Sequence, residues 1–130
     1  MTAAAALLTL TRRGWVPFLA DGQVRFRSPV GDKDAPEAAQ ALAVLREHRE
    51  EAAALLRWPQ ASWEAAARFG HADALLYPFL GREVAMPTGP AVLVQVLGGR
   101  AVIRRAGADK AERVRVADLE PLEVRGHAAM

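Results

Sequence analysis

Hydrophobic positions change their spacing three times along the chain, and each change marks a change of element. From Thr2 to Arg13, Leu7 and Leu10 stand one turn apart and Ala3 and Ala6 extend the same stripe. This predicts a short helix capped by Thr2, with Arg12 and Arg13 at the negative end of its dipole and Gly14 as its stop. The period then falls to two. Trp15–Leu19 and Gln23–Arg27 flank Asp21-Gly22, a pair that favours the positive backbone angles of a tight hairpin turn. Val24 and Phe26 point one way, Gln23, Arg25 and Arg27 the other, and Pro17, lacking an amide donor, marks the first strand as an edge. Helical spacing returns after a loop. Asp34 is the expected cap, Pro36 lies in the first turn, and Ala38, Leu42, Leu45, Ala52, Leu55 and Leu56 form a stripe that runs to Arg57. Arg46, Glu47, Glu50 and Glu51 cover the opposite side, and a break between Arg46 and Glu50 would divide the helix in two.

Trp58-Pro59 is a boundary, and Gln60–Phe69 reads as a short amphipathic helix capped by Ser62 and ended by Gly70. From Leu80 the texture is of short strands. Glu83–Met86, Ala91–Leu97, Arg100–Arg105, Glu112–Val116 and Glu120–Val124 are separated by Pro87–Pro90, Gly98-Gly99, Ala106–Asp109 and a tight turn at Ala117–Leu119. Short strands at this spacing suggest a small, strongly bent barrel. The expected class is α+β. Residues 1–57 form a helix–hairpin–helix module, 58–80 a helical connector, 81–124 a β-barrel and 125–130 a frayed tail.

Composition narrows the function. Hydrophobic residues make up 52% of the 130, but much of that is alanine, so a shallow core and self-association are expected. A net charge of +2 is too small by itself to indicate nucleic acid. There is no cysteine, which excludes disulfides and thiolate chemistry and is compatible with a cytoplasmic location. The run Ala3–Leu8 lacks the basic flank of a signal peptide, and no apolar stretch reaches membrane-spanning length.

Catalytic and cofactor chemistry finds little to stand on. His48 is expected to pack beside the helix stripe, His71 to cap or line a loop, and His127 to lie in the tail; these spacings do not make a metal site. Ser28 and Ser62 sit on no nucleophile elbow, and Gly98, Gly99 and Gly107 form no phosphate loop. The expectation is a non-enzyme without cofactor or metal.

Leu7-Leu8, Leu10, Gly14, Asp21-Gly22, Val24-Arg25-Phe26, Ser28-Pro29, Leu42, Leu45, His48, Glu51 and Leu55-Leu56 together resemble the TubC-type N-terminal docking domain of nonribosomal peptide synthetases. The resemblance covers residues 6–57. It implies a dimerising helix, hairpin and helix-pair module whose exposed strand receives a short peptide from a partner protein. Gly81, Val84, Pro87, Gly89-Pro90, Gly98-Gly99 and Val116–Leu119 are similar to an SH3-like or KOW-like small barrel, a fold used to bind protein, DNA or RNA.

Two surfaces are candidates. Gln23, Arg25 and Arg27 beside an edge strand suit an added peptide strand, the backbone giving affinity and the charges selecting sequence; the same arginines would also keep a free edge from aggregating. Arg104, Arg105, Arg113 and Arg115 could present a cationic barrel face to phosphates. The leading expectation is therefore a homodimeric adaptor that docks a partner protein or peptide through its first module, with the barrel as second contact. The alternatives are an accessory protein, such as accompanies mobile elements, that binds DNA or RNA through those four arginines, and a structural subunit of a larger complex.

Overall fold

A computed structural model describes residues 1–122. The chain is α+β, in the order α1 (Ala3–Arg12), β1 (Val16–Ala20), β2 (Gln23–Arg27), α2 (Pro36–Glu47), α3 (Arg49–Leu56), α4 (Gln60–Phe69), a 3-10 segment (Ala72–Phe79), β3 (Glu83–Met86), β4 (Gly89–Leu97), β5 (Arg100–Arg105), β6 (Glu112–Arg115), a 3-10 turn (Val116–Asp118) and β7 (Glu120–Pro121). It divides into two compact units, 1–75 and 76 onward. None of the described helices is long and apolar enough to cross a membrane. The expected strand beyond Leu122 and the tail at 125–130 lie outside the described residues.

In the first unit α1 is the central element. Thr2 accepts a hydrogen bond from the Ala5 amide at 3.1 Å and caps it as expected. Ala3, Ala4, Ala6, Leu7, Leu8 and Leu10 are all buried, so α1 is apolar nearly all round rather than along one stripe. It packs against α2, α3 and α4. The alanines explain how one helix serves so many neighbours. Ala38 and Ala41 of α2, Ala52 of α3 and Ala66 of α4 are buried where the helices meet, and small side chains bring helix axes to the near end of the usual 8–10 Å range.

The end of α1 sets the entry of the hairpin. The Gly14 amide donates to the Thr11 carbonyl and the Trp15 amide to the Leu10 carbonyl, the paired bonds of a Schellman stop. Gly14 has φ +90°, a value that a side chain would strain. β1 and β2 pair with Ala20 opposite Gln23, and Asp21 and Gly22 take φ of 53° and 76°, the signature of a type I′ turn.

Two helix starts differ from expectation, and a break falls where one was expected. Ala35, not Asp34, is the residue before α2, and Pro36 occupies the first turn, where its missing N–H leaves nothing unpaired. Pro59, not Ser62, precedes α4, and Ser62 is fully buried with no hydrogen-bond partner for its hydroxyl. The break inside the long helix falls at His48, which has φ −121° and ψ 49° and is exposed instead of packed. The segment 58–80 is not a separate connector. α4 lies on α1 within the first unit, and the Trp63 indole donates to the carbonyls of Leu55 (2.6 Å) and Trp58 (3.1 Å), tying α4 to the end of α3.

The second unit is a five-stranded antiparallel sheet in the order β6-β5-β4-β3-β7. Among the described residues its edge strands do not pair, so no closed barrel forms. The sheet bends at β4, where the pairing with β5 shifts between Leu93 and Gln95. Val84, Ala85, Ala91, Leu93, Ala101, Ile103, Phe79 and Leu119 are buried within this unit.

Asp32 joins separate segments of the first unit. Its carboxylate accepts from Arg13 Nε at 3.0 Å and from the Trp15 indole at 2.6 Å, and the same arginine reaches Glu37 on α2 at 3.1 Å. Bonds from Arg13 and then Trp15 hold the Asp32 pKa below its ordinary value. A depressed carboxyl contributes stability that is present above the unfolded pKa of about 3.9 and is lost as pH falls through the folded value. Asp32→Asn therefore lowers the thermal midpoint at pH 7, and the gap between variant and wild type narrows as melts are repeated from pH 5 downward. A gap independent of pH would show that the carboxylate charge is not what holds these segments.

Candidate functional site

The break at His48 turns α3 away from the line of α2 and opens a groove of about 970 Å³ beside the hairpin. Gln23, Val24, Arg25 and Phe26 line it on one side, with Phe18 and Ala20 of β1. Leu42, Leu45 and Arg46 of α2 and Arg49, Glu50 and Ala53 of α3 line the other. Successive residues of a strand point to opposite faces, so a groove touched by four consecutive residues of β2 runs along the edge of that strand.

The hydrogen-bonding character of that edge follows from the register. In a two-residue hairpin the residues flanking the turn, Ala20 and Gln23, exchange both bonds, and bonded and non-bonded pairs then alternate. Phe18 with Arg25 and Val16 with Arg27 are bonded pairs; Leu19 with Val24 and Pro17 with Phe26 are not. The N–H and C=O groups of Val24 and Phe26 consequently point outward from β2. On β1 the matching outward positions are Pro17 and Leu19, and Pro17 has no N–H, so β2, with a donor at both of its outward positions, is the better edge for an added strand.

The three residues expected to select a partner are all exposed on one face of β2, but they do not act alike. Gln23 and Arg25 line the groove, and Arg25 Nη2 donates to Gln23 Oε1 at 2.9 Å. Arg27 lies outside it, its guanidinium 5.5 Å from the centre of the Phe18 ring. Arg46 and Glu50 were expected on a solvated helix side, and Arg49 was not singled out. Arg49 and Glu50 follow the break at His48, and helical periodicity carried across that break could not have placed them opposite β2.

The four arginines of the second unit also separate. Arg104, Arg113 and Arg115 share one face of the sheet, joined by Arg100. Arg105 follows Arg104 directly and points to the other face. There it donates to both Glu112 oxygens at 3.0 Å and to the Thr88 hydroxyl, clamping the β3–β4 turn to β6. Bonding and charge from Arg105 hold the Glu112 pKa down and Glu112 raises that of Arg105. Arg115 bonds Asp118 at 3.2 Å.

Among the described residues no group of three or more His, Asp or Glu side chains converges as a metal site would. No protein-family model, curated protein or solved structure matches the chain. Fold and groove geometry therefore carry the functional argument.

The two adjacent arginines give a direct contrast. Arg105→Gln removes a bidentate ion pair and a turn contact, and lowers the midpoint of thermal unfolding. Arg104→Gln, on the exposed face, leaves it nearly unchanged. Equal shifts in differential scanning calorimetry would contradict this division of roles.

Proposed function

We propose that the chain is a non-catalytic adaptor whose first unit docks an extended peptide segment of a partner protein along β2. The observation that carries this reading is the groove at the β2 edge, where the outward N–H and C=O of Val24 and Phe26 meet an apolar floor and arginines on both walls. A strand added there gains main-chain hydrogen bonds from β2. Its apolar side chains can bury against Phe26, Leu42, Leu45 and Ala53. Arg25, Arg46 and Arg49 outnumber Glu50 on the walls, which favours acidic residues among the apolar ones.

The element order α1, hairpin, α2, α3 supports a TubC-type docking module, and self-association through this unit belongs to the same reading. Val16 and Phe18, exposed on β1, supply apolar surface for it. In the second unit a long bent β4 shared by two neighbours, and a 3-10 turn between β6 and β7, support an SH3-like sheet acting as second contact.

Selection from a displayed peptide library against the whole chain tests the docking site. Recovered peptides are expected to alternate apolar and acidic residues and to shift the Val24 and Phe26 amide resonances. Arg25→Glu with Arg49→Glu weakens them at least about tenfold, or 1.4 kcal/mol, while Arg27→Glu changes affinity much less. Peptides whose shifts map away from β2, or whose affinity ignores the double reversal, would defeat the proposal.

A further inference from the structure

The exposed face of β4, β5 and β6 carries a second, independent surface. Its rows are set by register: Val92 faces Arg104, Gln95 faces Val102 and then Arg113, and Leu97 faces Arg100 and then Arg115. Two arginines, Arg100 and Arg115, thus stand directly opposite each other across a strand pair. Like charges in that position repel and destabilise the sheet, the more so at low salt.

Neutralisation among the described residues is slight. Asp118 bonds Arg115, but among the described residues no ion pair reaches Arg100, Arg104 or Arg113. Glu83, in the row of Val92 and Arg104, lies two strands from Arg104, about 9–10 Å at ordinary strand spacing. A row of guanidinium groups held on a rigid sheet at the cost of mutual repulsion is complementary to a polyanion.

We propose that this face binds the phosphate backbone of double-stranded DNA without regard to sequence. Guanidinium groups favour phosphates because their forked donors match two phosphate oxygens. The apolar members of the face are aliphatic, Val92 at 39% exposure and Val94 at 48%, and none is aromatic. Single strands are held chiefly by stacking of bases on aromatic rings, which this face cannot offer. Duplex RNA is told apart through its 2′-hydroxyls by polar side chains, and Gln95 is the uncharged polar side chain in these rows. An unmodified DNA duplex asks only for phosphate contacts, which the arginines supply.

Fluorescence anisotropy of the whole chain with a labelled DNA duplex of arbitrary sequence, from about 25 to 200 mM salt, tests this. Each phosphate neutralised contributes about 0.9 to the slope of log affinity against log salt, so a slope of about −3 to −4 is expected. Arg100→Gln, Arg104→Gln and Arg113→Gln together should flatten it by roughly 2.7 and weaken low-salt binding at least about tenfold. This variant should melt no lower than wild type, because a repulsion has been removed; a lower melt would overturn the premise of strain. Independently of any variant, DNA should shift the backbone resonances of β5 and β6. Substituting Arg25, Arg46 and Arg49, which line the peptide groove, should leave DNA binding unchanged. Absence of binding at the lowest salt, a slope untouched by the triple substitution, or resonance shifts elsewhere overturns the proposal. So does equal affinity for single-stranded DNA, tighter binding of duplex RNA than of duplex DNA, or displacement by polyglutamate at equal charge, which would mark the face as a reader of acidic protein.

Discussion

The first unit depends on one carboxylate. Asp32 sits on the loop between the hairpin and α2, and it accepts hydrogen bonds from the last turn of α1 through Arg13 and from the start of the hairpin through Trp15. Arg13 extends the connection to Glu37 in the first turn of α2. The three segments are thereby joined by polar contacts as well as by packing. The Schellman stop at Gly14 gives the chain its direction as it leaves α1, and Asp32 holds that direction. The Asp32 side chain is only 17% exposed, so loss of either donor would leave a partly desolvated charge short of partners.

The groove is a consequence of that arrangement and of the elbow at His48. A continuous helix from 36 to 56 would carry Arg49, Glu50 and Ala53 away from the hairpin. With the bend, α3 contacts both strands and α2 stays on α1. The two sides of the groove thus belong to elements anchored on the same central helix. A strand edge with unpaired backbone groups is a hazard for aggregation unless something limits access. Here Pro17 removes one donor from the β1 edge, while the β2 edge is walled by helices that carry charge.

Much of the local structure was legible in the sequence. The Thr2 cap, the Gly14 stop, the Asp21-Gly22 turn and the strands Glu83–Met86 and Arg100–Arg105 all follow from short-range chemistry, and they stand where that chemistry puts them. The division of the second unit's arginines was half legible. Alternation already places Arg104 and Arg105 on opposite faces and Arg100 on the face of Arg104, whereas which of these faces carries Arg113 and Arg115 needs the β5–β6 register. What sequence could not yield was tertiary. The alanines of α1, α2 and α4 looked like a shallow core because volume per residue says nothing about how closely helices approach. Asp32 gave no signal, since its partners lie 17 and 19 positions away. Ser62 resembled a cap by composition, but the chain places it inside the unit, where its hydroxyl is unpaired.

The two surfaces divide the chemistry between backbone and side chain. In the proposed docking the β2 groove meets the main chain of an extended segment and selects it by charge; the second unit's sheet face offers guanidinium groups, aliphatic surface and Gln95. The proposed docking depends on β2 presenting unpaired donors to the groove. Residue-resolved amide hydrogen exchange of the whole chain tests it directly. In the free protein the Val24 and Phe26 amides should exchange far faster than the ladder-bonded Arg25 amide, and a bound peptide should slow both of them. Val24 and Phe26 amides already as protected as that of Arg25 in the absence of peptide would contradict the account.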